Sequence, residues 1–132
     1  MTFQWTENMA VGVELMDEQH KELFTRVNAF VEAVLQNKES VIVEELMKYL
    51  ESYVETHFTL EETYMKDYDY DEEDTDIHLK QHKTFRTNFQ RLKTEYQRKG
   101  SNKELNQKIQ EHLCNWLITH VSKIDKKLGD YL

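Results

Sequence analysis

Five of the chain's six histidines stand where several imidazoles could share a buried cation. His57 and Glu61 are four residues apart, as are His78 and His82. Residues so spaced lie on one helix face, so each pair can grip one site. His120 and Asp125 are five apart, which overshoots a regular turn by about 40°. A local wide turn, of the kind often found at functional sites, would return them to one face. His20 supplies a further donor from an earlier segment. Imidazole and carboxylate in this mixture are metal-ligand chemistry.

The elements that would position these groups follow from apolar rhythm. A first helix is expected over about 18–36, with Leu23, Phe24, Val27, Phe30, Val31, Val34 and Leu35 on one stripe. Asn37 to Ser40 reads as a short turn, with Ser40 as an N-cap. A second helix is expected over about 41–66, where His57 and Glu61 continue the phase of Leu46, Leu50 and Val54. The acidic stretch 67–76 reads as a solvated loop. A third helix follows over about 77–99, with His78 and His82 leading into Phe85, Phe89 and Leu92. Gly100 suits a helix end, and Ser101 with Glu104 reads as a capping box. The fourth helix, about 102–128, carries Leu105, Ile109, Leu113, Trp116, Leu117, His120, Val121 and Ile124 and ends near Gly129.

Similar helix lengths and short connections imply an all-α, up-down-up-down four-helix bundle. Residues 1–17 form an N-terminal arm whose Phe3, Trp5, Met9, Val11 and Val13 should pack on it. The inward phase of the ionisable residues is what sets the chain apart from a plain bundle. A buried carboxylate or imidazole is costly unless something compensates it, and a shared cation is the simplest compensation. One such histidine would read as a hydrogen-bonded core residue. The conjunction across all four helices does not. His112 lies outside this set and reads as a partly exposed helix residue. Cys114 reads as a small packing residue.

The 132 residues fit one domain, and 39% apolar residues are enough for a core. Three glycines and no proline disfavour a turn-rich β fold. The net charge of −8 disfavours nucleic acid and anionic membrane surfaces as partners. It also leans toward a monomer. A single cysteine excludes an internal disulfide and a cysteine-based metal cage. The first residues lack the basic start and apolar core of a signal peptide. A cytoplasmic location is therefore the expectation.

The motifs Asp17-Glu-Gln-His20 with Leu23-Phe24, His57-Phe-Thr-Leu-Glu61-Glu62, His78-x-x-x-His82-x-x-Phe85 and Trp116-Leu117-x-x-His120 with Asp125 together resemble the hemerythrins in their single-domain bacterial form. The resemblance spans nearly the whole chain. It departs in the second loop, where relatives usually carry Tyr-Pro and this chain has Tyr68-Asp-Tyr70-Asp. It implies two iron ions per chain, joined by an oxo or hydroxo group. One would be held by His78, His82 and His120 and the other by His20 and His57, with Glu61 and Asp125 bridging both. The iron with two histidines would keep an open position for dioxygen, which would be reduced there to a hydroperoxide. Leu117, with Trp116 and Phe24, would line the oxygen pocket.

The donor set agrees with iron. Calcium and magnesium prefer oxygen cages, and structural zinc is satisfied by four ligands. Di-iron enzymes of the four-helix type use mainly carboxylates. Here imidazoles outnumber carboxylates, which favours reversible binding over substrate oxidation. The expectation is therefore a non-enzymatic dioxygen binder for storage, transport or delivery. The alternatives are oxygen, redox or nitric oxide sensing through a separate partner, iron sequestration, and peroxide turnover.

Overall fold

The computed structural model describes residues 3–36 and 39–132. Four long helices account for nearly all of them: α1 over Glu14–Leu35, α2 over 39–67, α3 over Glu72–Lys99 and α4 over 103–131. They run up-down-up-down. Asn37 and Lys38, in the expected first turn, lie outside the described residues. Ser40 is not a cap but falls within the first turn of α2, which already begins at Glu39.

The helix starts differ from the expected ones for electrostatic reasons. Half of the acidic stretch 67–76, residues 72–76, is not loop but the first turns of α3. Asp71 caps that helix by accepting a hydrogen bond from the Asp74 N–H at 3.0 Å, and Glu72, Glu73 and Asp74 sit in its first turn. Acidic side chains there meet the positive end of the helix dipole. The true connection is 68–71. Asp69 takes a left-handed φ of 53°, and the Tyr70 N–H returns to the Met65 carbonyl at 2.9 Å. That closure satisfies α2's last carbonyls and buries Tyr70. Similarly, α1 begins at Glu14, inside the expected arm. At the start of α4, Asn102 is the cap rather than Ser101, accepting from the Leu105 N–H at 2.9 Å. Gly100 takes a φ of 73°, a conformation that favours glycine.

Both α2 and α4 contain wide turns. One spans Val54–Phe58 in α2, and two span Gln110–Cys114 and Val121–Asp125 in α4. Each adds a residue without breaking the helix, which rotates the residues beyond it relative to a regular α-helix.

Apolar side chains form two separate packed regions. The larger holds Leu23, Phe30, Leu50, Phe58, Phe85, Leu117 and Val121 among others. The smaller holds Val11, Met16, Met65, Tyr70 and Leu128. Along α1, α2 and α4 the ionisable residues lie at the inner end of the larger region, next to the smaller one. His20 lies between Met16 and Leu23, Glu61 between Phe58 and Met65, and Asp125 between Val121 and Leu128. The bundle is thus layered, with a polar stratum between two apolar ones.

The arm docks through backbone contacts. The Val11 N–H donates to Asp17 Oδ1 at 2.7 Å, and Lys126 Nζ donates to the Ala10 carbonyl at 2.9 Å. Helix α4 continues through Tyr131, and Gly129 lies within its last turn rather than ending it. A Cβ at Gly129 would come within 2.4 Å of Val11 Cβ and 2.6 Å of the Val11 carbonyl oxygen. Gly129→Ala should therefore lower stability, by about 1–3 kcal/mol, although alanine is the better helix former. Thermal melts would show it; an unchanged or higher melting temperature would mean that the arm yields freely.

Candidate metal centre

All four helices contribute to one buried cluster. His20 comes from α1, His57 and Glu61 from α2, His78 and His82 from α3, and His120 and Asp125 from α4. None of the seven is more than 2% exposed. Their donor atoms fall into two overlapping groups: Glu61, His78, His82, His120 and Asp125 in one, and His20, His57, Glu61 and Asp125 in the other. Within each group the atoms lie within 4.8 Å of one another. Such a cluster can hold metal.

Asp125 divides its oxygens between the groups. Oδ2 lies 3.0 Å from His20 Nε2 and 3.4 Å from His57 Nε2. Oδ1 lies 2.9 Å from His120 Nε2 and 3.1 Å from His78 Nε2. Glu61 Oε1 also faces both, at 3.3 Å from His57 Nε2 and 3.2 Å from His82 Nε2. The wide turn over Val121–Asp125 is what brings Asp125 onto the face of His120. It also turns Ile124 half outward, although its rhythm had placed it on the apolar stripe.

The backs of three rings are held by residues that spacing alone did not single out. Gln19 Oε1 lies 2.6 Å from His57 Nδ1, Gln81 Oε1 lies 2.9 Å from His120 Nδ1, and Glu62 Oε2 lies 2.8 Å from His82 Nδ1. An Nδ1–H donated to an oxygen fixes the tautomer and leaves the Nε2 lone pair free toward the cluster. Each orienting residue adjoins one cluster residue in sequence and steadies another from a different helix. The doublets Gln19-His20, Glu61-Glu62 and Gln81-His82 were visible signals. Aromatic rings wedge the cluster from the sides: Phe58 stacks on His82 at 3.8 Å and Trp116 on His120 at 4.8 Å between ring centroids.

Electrostatically the cluster calls for positive charge. Among the described residues, no lysine or arginine pairs with Glu61 or Asp125. Burial disfavours a charged imidazole at His57, yet Glu61 and Asp125 raise it to about 10. The same opposition leaves His78 at about 9. Burial and Asp125 push Glu61 up, but His57 outweighs them and Glu61 falls to about 2. Against the effect of burial, His120 holds Asp125 well below the usual carboxylate range. Burial lowers His82, keeping it in the neutral form a ligand needs. Both Glu61 oxygens, Asp125 Oδ1 and the Nε2 atoms of His78, His82 and His120 have no hydrogen-bond partner among the described residues. Buried polar atoms are seldom left so. Converging buried ligand atoms without partners fit a bound cation.

The expected pocket residues are more dispersed. Leu117 is fully buried. Trp116 is half-buried and lies against His120, in the three-histidine group. Phe24 packs edge-on against Trp5 of the arm at 5.6 Å. His112 is exposed on α4, away from the cluster. Cys114 is buried, and burial pushes its thiol up to about 12, so it is an inert packing group.

A family model described as the hemerythrin HHE cation binding domain matches residues 11–132. Bacteriohemerythrin of Pseudomonas paraeruginosa is 26% identical over 121 residues, covering 92% of this chain and 75% of that protein. Bacteriohemerythrin of Methylococcus capsulatus is 28% identical over 131 residues, covering 97% of this chain and 95% of that protein. Myohemerythrin of Theromyzon tessulatum is 31% identical over 125 residues, covering 95% of this chain and 89% of that protein. No solved structure matches the chain at comparable significance.

Proposed function

Because this chain belongs to the hemerythrin family, we propose that it binds dioxygen reversibly at a pair of non-haem irons, for storage, transport or delivery. His78, His82 and His120 would hold one iron and His20 and His57 the other, with Glu61 and Asp125 shared. The observation that carries this reading is the division of Asp125: one oxygen faces each histidine group. Bound iron would supply the reversible electron transfer to dioxygen that the side chains lack.

The chain's own residues set the terms. Five neutral imidazoles fill positions without adding negative charge, which works against high-valent chemistry and favours binding over oxidation of a substrate. We therefore read the protein as a binder and not an enzyme. Gln19, Gln81 and Glu62 hold three imidazoles in the ligand tautomer. Leu117, Val121 and Phe58 are fully buried and keep water from competing for the centre. Among the described residues, no helix is long and apolar enough to cross a membrane. A cytoplasmic monomer is in keeping with the acidic composition.

The test is a visible spectrum and an iron analysis on protein purified in air. We expect two irons per chain, one for each donor group, and a colour that vanishes under argon and returns in air. Irreversible fading to a ferric form would shift the reading to redox sensing or turnover. Failure to take up iron under any reconstitution would overturn it.

A further inference from the structure

Tyr53 stands beside the cluster without a part in holding metal. It sits in α2 one turn before His57, and its ring stacks on that imidazole at 4.7 Å between centroids, 22° from parallel. The residue is 5% exposed, and its hydroxyl is wholly buried with no hydrogen-bond partner among the described residues. A buried phenol nearly always finds one. The wide turn that begins at Val54 lies between Tyr53 and the cluster residue Glu61.

The Tyr53 ring lies against His57, on the two-histidine side, where the proposed centre has fewest protein donors. A cavity of about 190 Å³ between α1 and α2, lined by Gln19, Tyr49, Ser52, Tyr53 and His57 among others, lies on the Nδ1 side of His57, where Gln19 holds the ring. The three-histidine side differs, since the rings flanking it are Phe58 and Trp116.

Resting on the di-iron reading, we infer that Tyr53 donates a hydrogen bond from its hydroxyl to the small, electron-rich ligand bound on the His20/His57 side. It acts as a positioning residue that favours ligands able to accept that bond. Tyr53 thereby adds selection by polarity.

Two measurements on Tyr53→Phe test this, with azide as the probe. The first is azide affinity of the diferric protein by spectral titration. Loss of a hydrogen bond to a charged acceptor should weaken it about tenfold or more. The second is a thermal melt of the ion-free protein. Removing a hydroxyl that bonds nothing should leave the melting temperature unchanged or higher. Equal azide affinity in the two proteins would overturn the inference. So would a lower melting temperature in the variant, because the hydroxyl would then have a structural partner. If the wild type takes up no iron, the functional reading itself has failed, which is a separate result.

Discussion

Asp125→Asn should strip the protein of iron on both sides of the centre. The substitution keeps the size of the side chain and removes its charge. Glu61 would then be the only carboxylate left among five imidazoles, too little negative charge for two polyvalent cations. Because Oδ1 faces His78 and His120 while Oδ2 faces His20 and His57, the loss is shared by the two groups. Iron analysis of the reconstituted variant should fall from the proposed two per chain to nearly none, with no visible colour. His78→Ala damages the three-histidine group directly. His112→Ala should keep wild-type iron, since His112 lies exposed on α4. Circular dichroism should show Asp125→Asn still helical, because its apolar layers are untouched. Retention of both irons by Asp125→Asn would remove the shared-carboxylate arrangement, and equal iron loss in His112→Ala would show that its exposure is misleading.

Asp125 also marks where sequence reading reached its limit. Its five-residue separation from His120 is legible, and a wide turn is the physical way to reconcile the two. The structure supplies that turn over Val121–Asp125. The wide turns at Val54–Phe58 and Gln110–Cys114 left no such trace. An extra residue in a helix changes no composition and breaks no cap. It shows only when a chemically distinctive residue must be brought back into phase. Ile124 illustrates this, since regular rhythm puts it on the stripe and the wide turn does not.

The helices themselves were legible because inward positions such as Leu23, Leu50, Phe85 and Leu113 recur at helical spacing and are all buried. Helix starts were not. The run 72–76 is charged and lacks an apolar stripe, so it reads as loop. Its acidic residues nonetheless suit a helix N-terminus, and Asp71 caps it. The pairings of Gln19, Gln81 and Glu62 were hidden for a different reason. Each adjoins a cluster residue in sequence but hydrogen-bonds a ring on another helix. Those partners exist only once the bundle has closed. Tyr53 was hidden in the same way: its stack on His57 follows from helical spacing, but the isolation of its hydroxyl depends on what α1 and α4 bring near it.

Phe58→Ala should produce the largest loss of fold stability among single changes near the centre. Phe58 is completely buried and belongs to the larger apolar region. Its ring lies nearly parallel to His82, at 5° and 3.8 Å, and meets Phe85 edge-on at 5.6 Å and Tyr53 at 6.2 Å. Arg86 lies over it at 5.3 Å, but that side chain is 39% exposed and contributes little beside the burial. Truncating a buried phenylalanine costs about 3–5 kcal/mol, from lost transfer energy and an unfilled cavity. For a domain of this size that is a fall of roughly 10–20 °C in melting temperature. The melt must be run on ion-free protein, because a bound metal stabilises only the folded state and would mask part of the loss. Phe58→Leu, which fills most of the space, should recover the larger share. The centre should respond as well. His82 would keep Glu62 on Nδ1 but lose the ring that fixes its plane, so iron in the three-histidine group should be removed by chelator faster than in the wild type. A melting temperature within a few degrees of wild type would mean that neighbours collapse into the space. The layered packing between Phe58 and the cluster would then be far softer than these contacts imply.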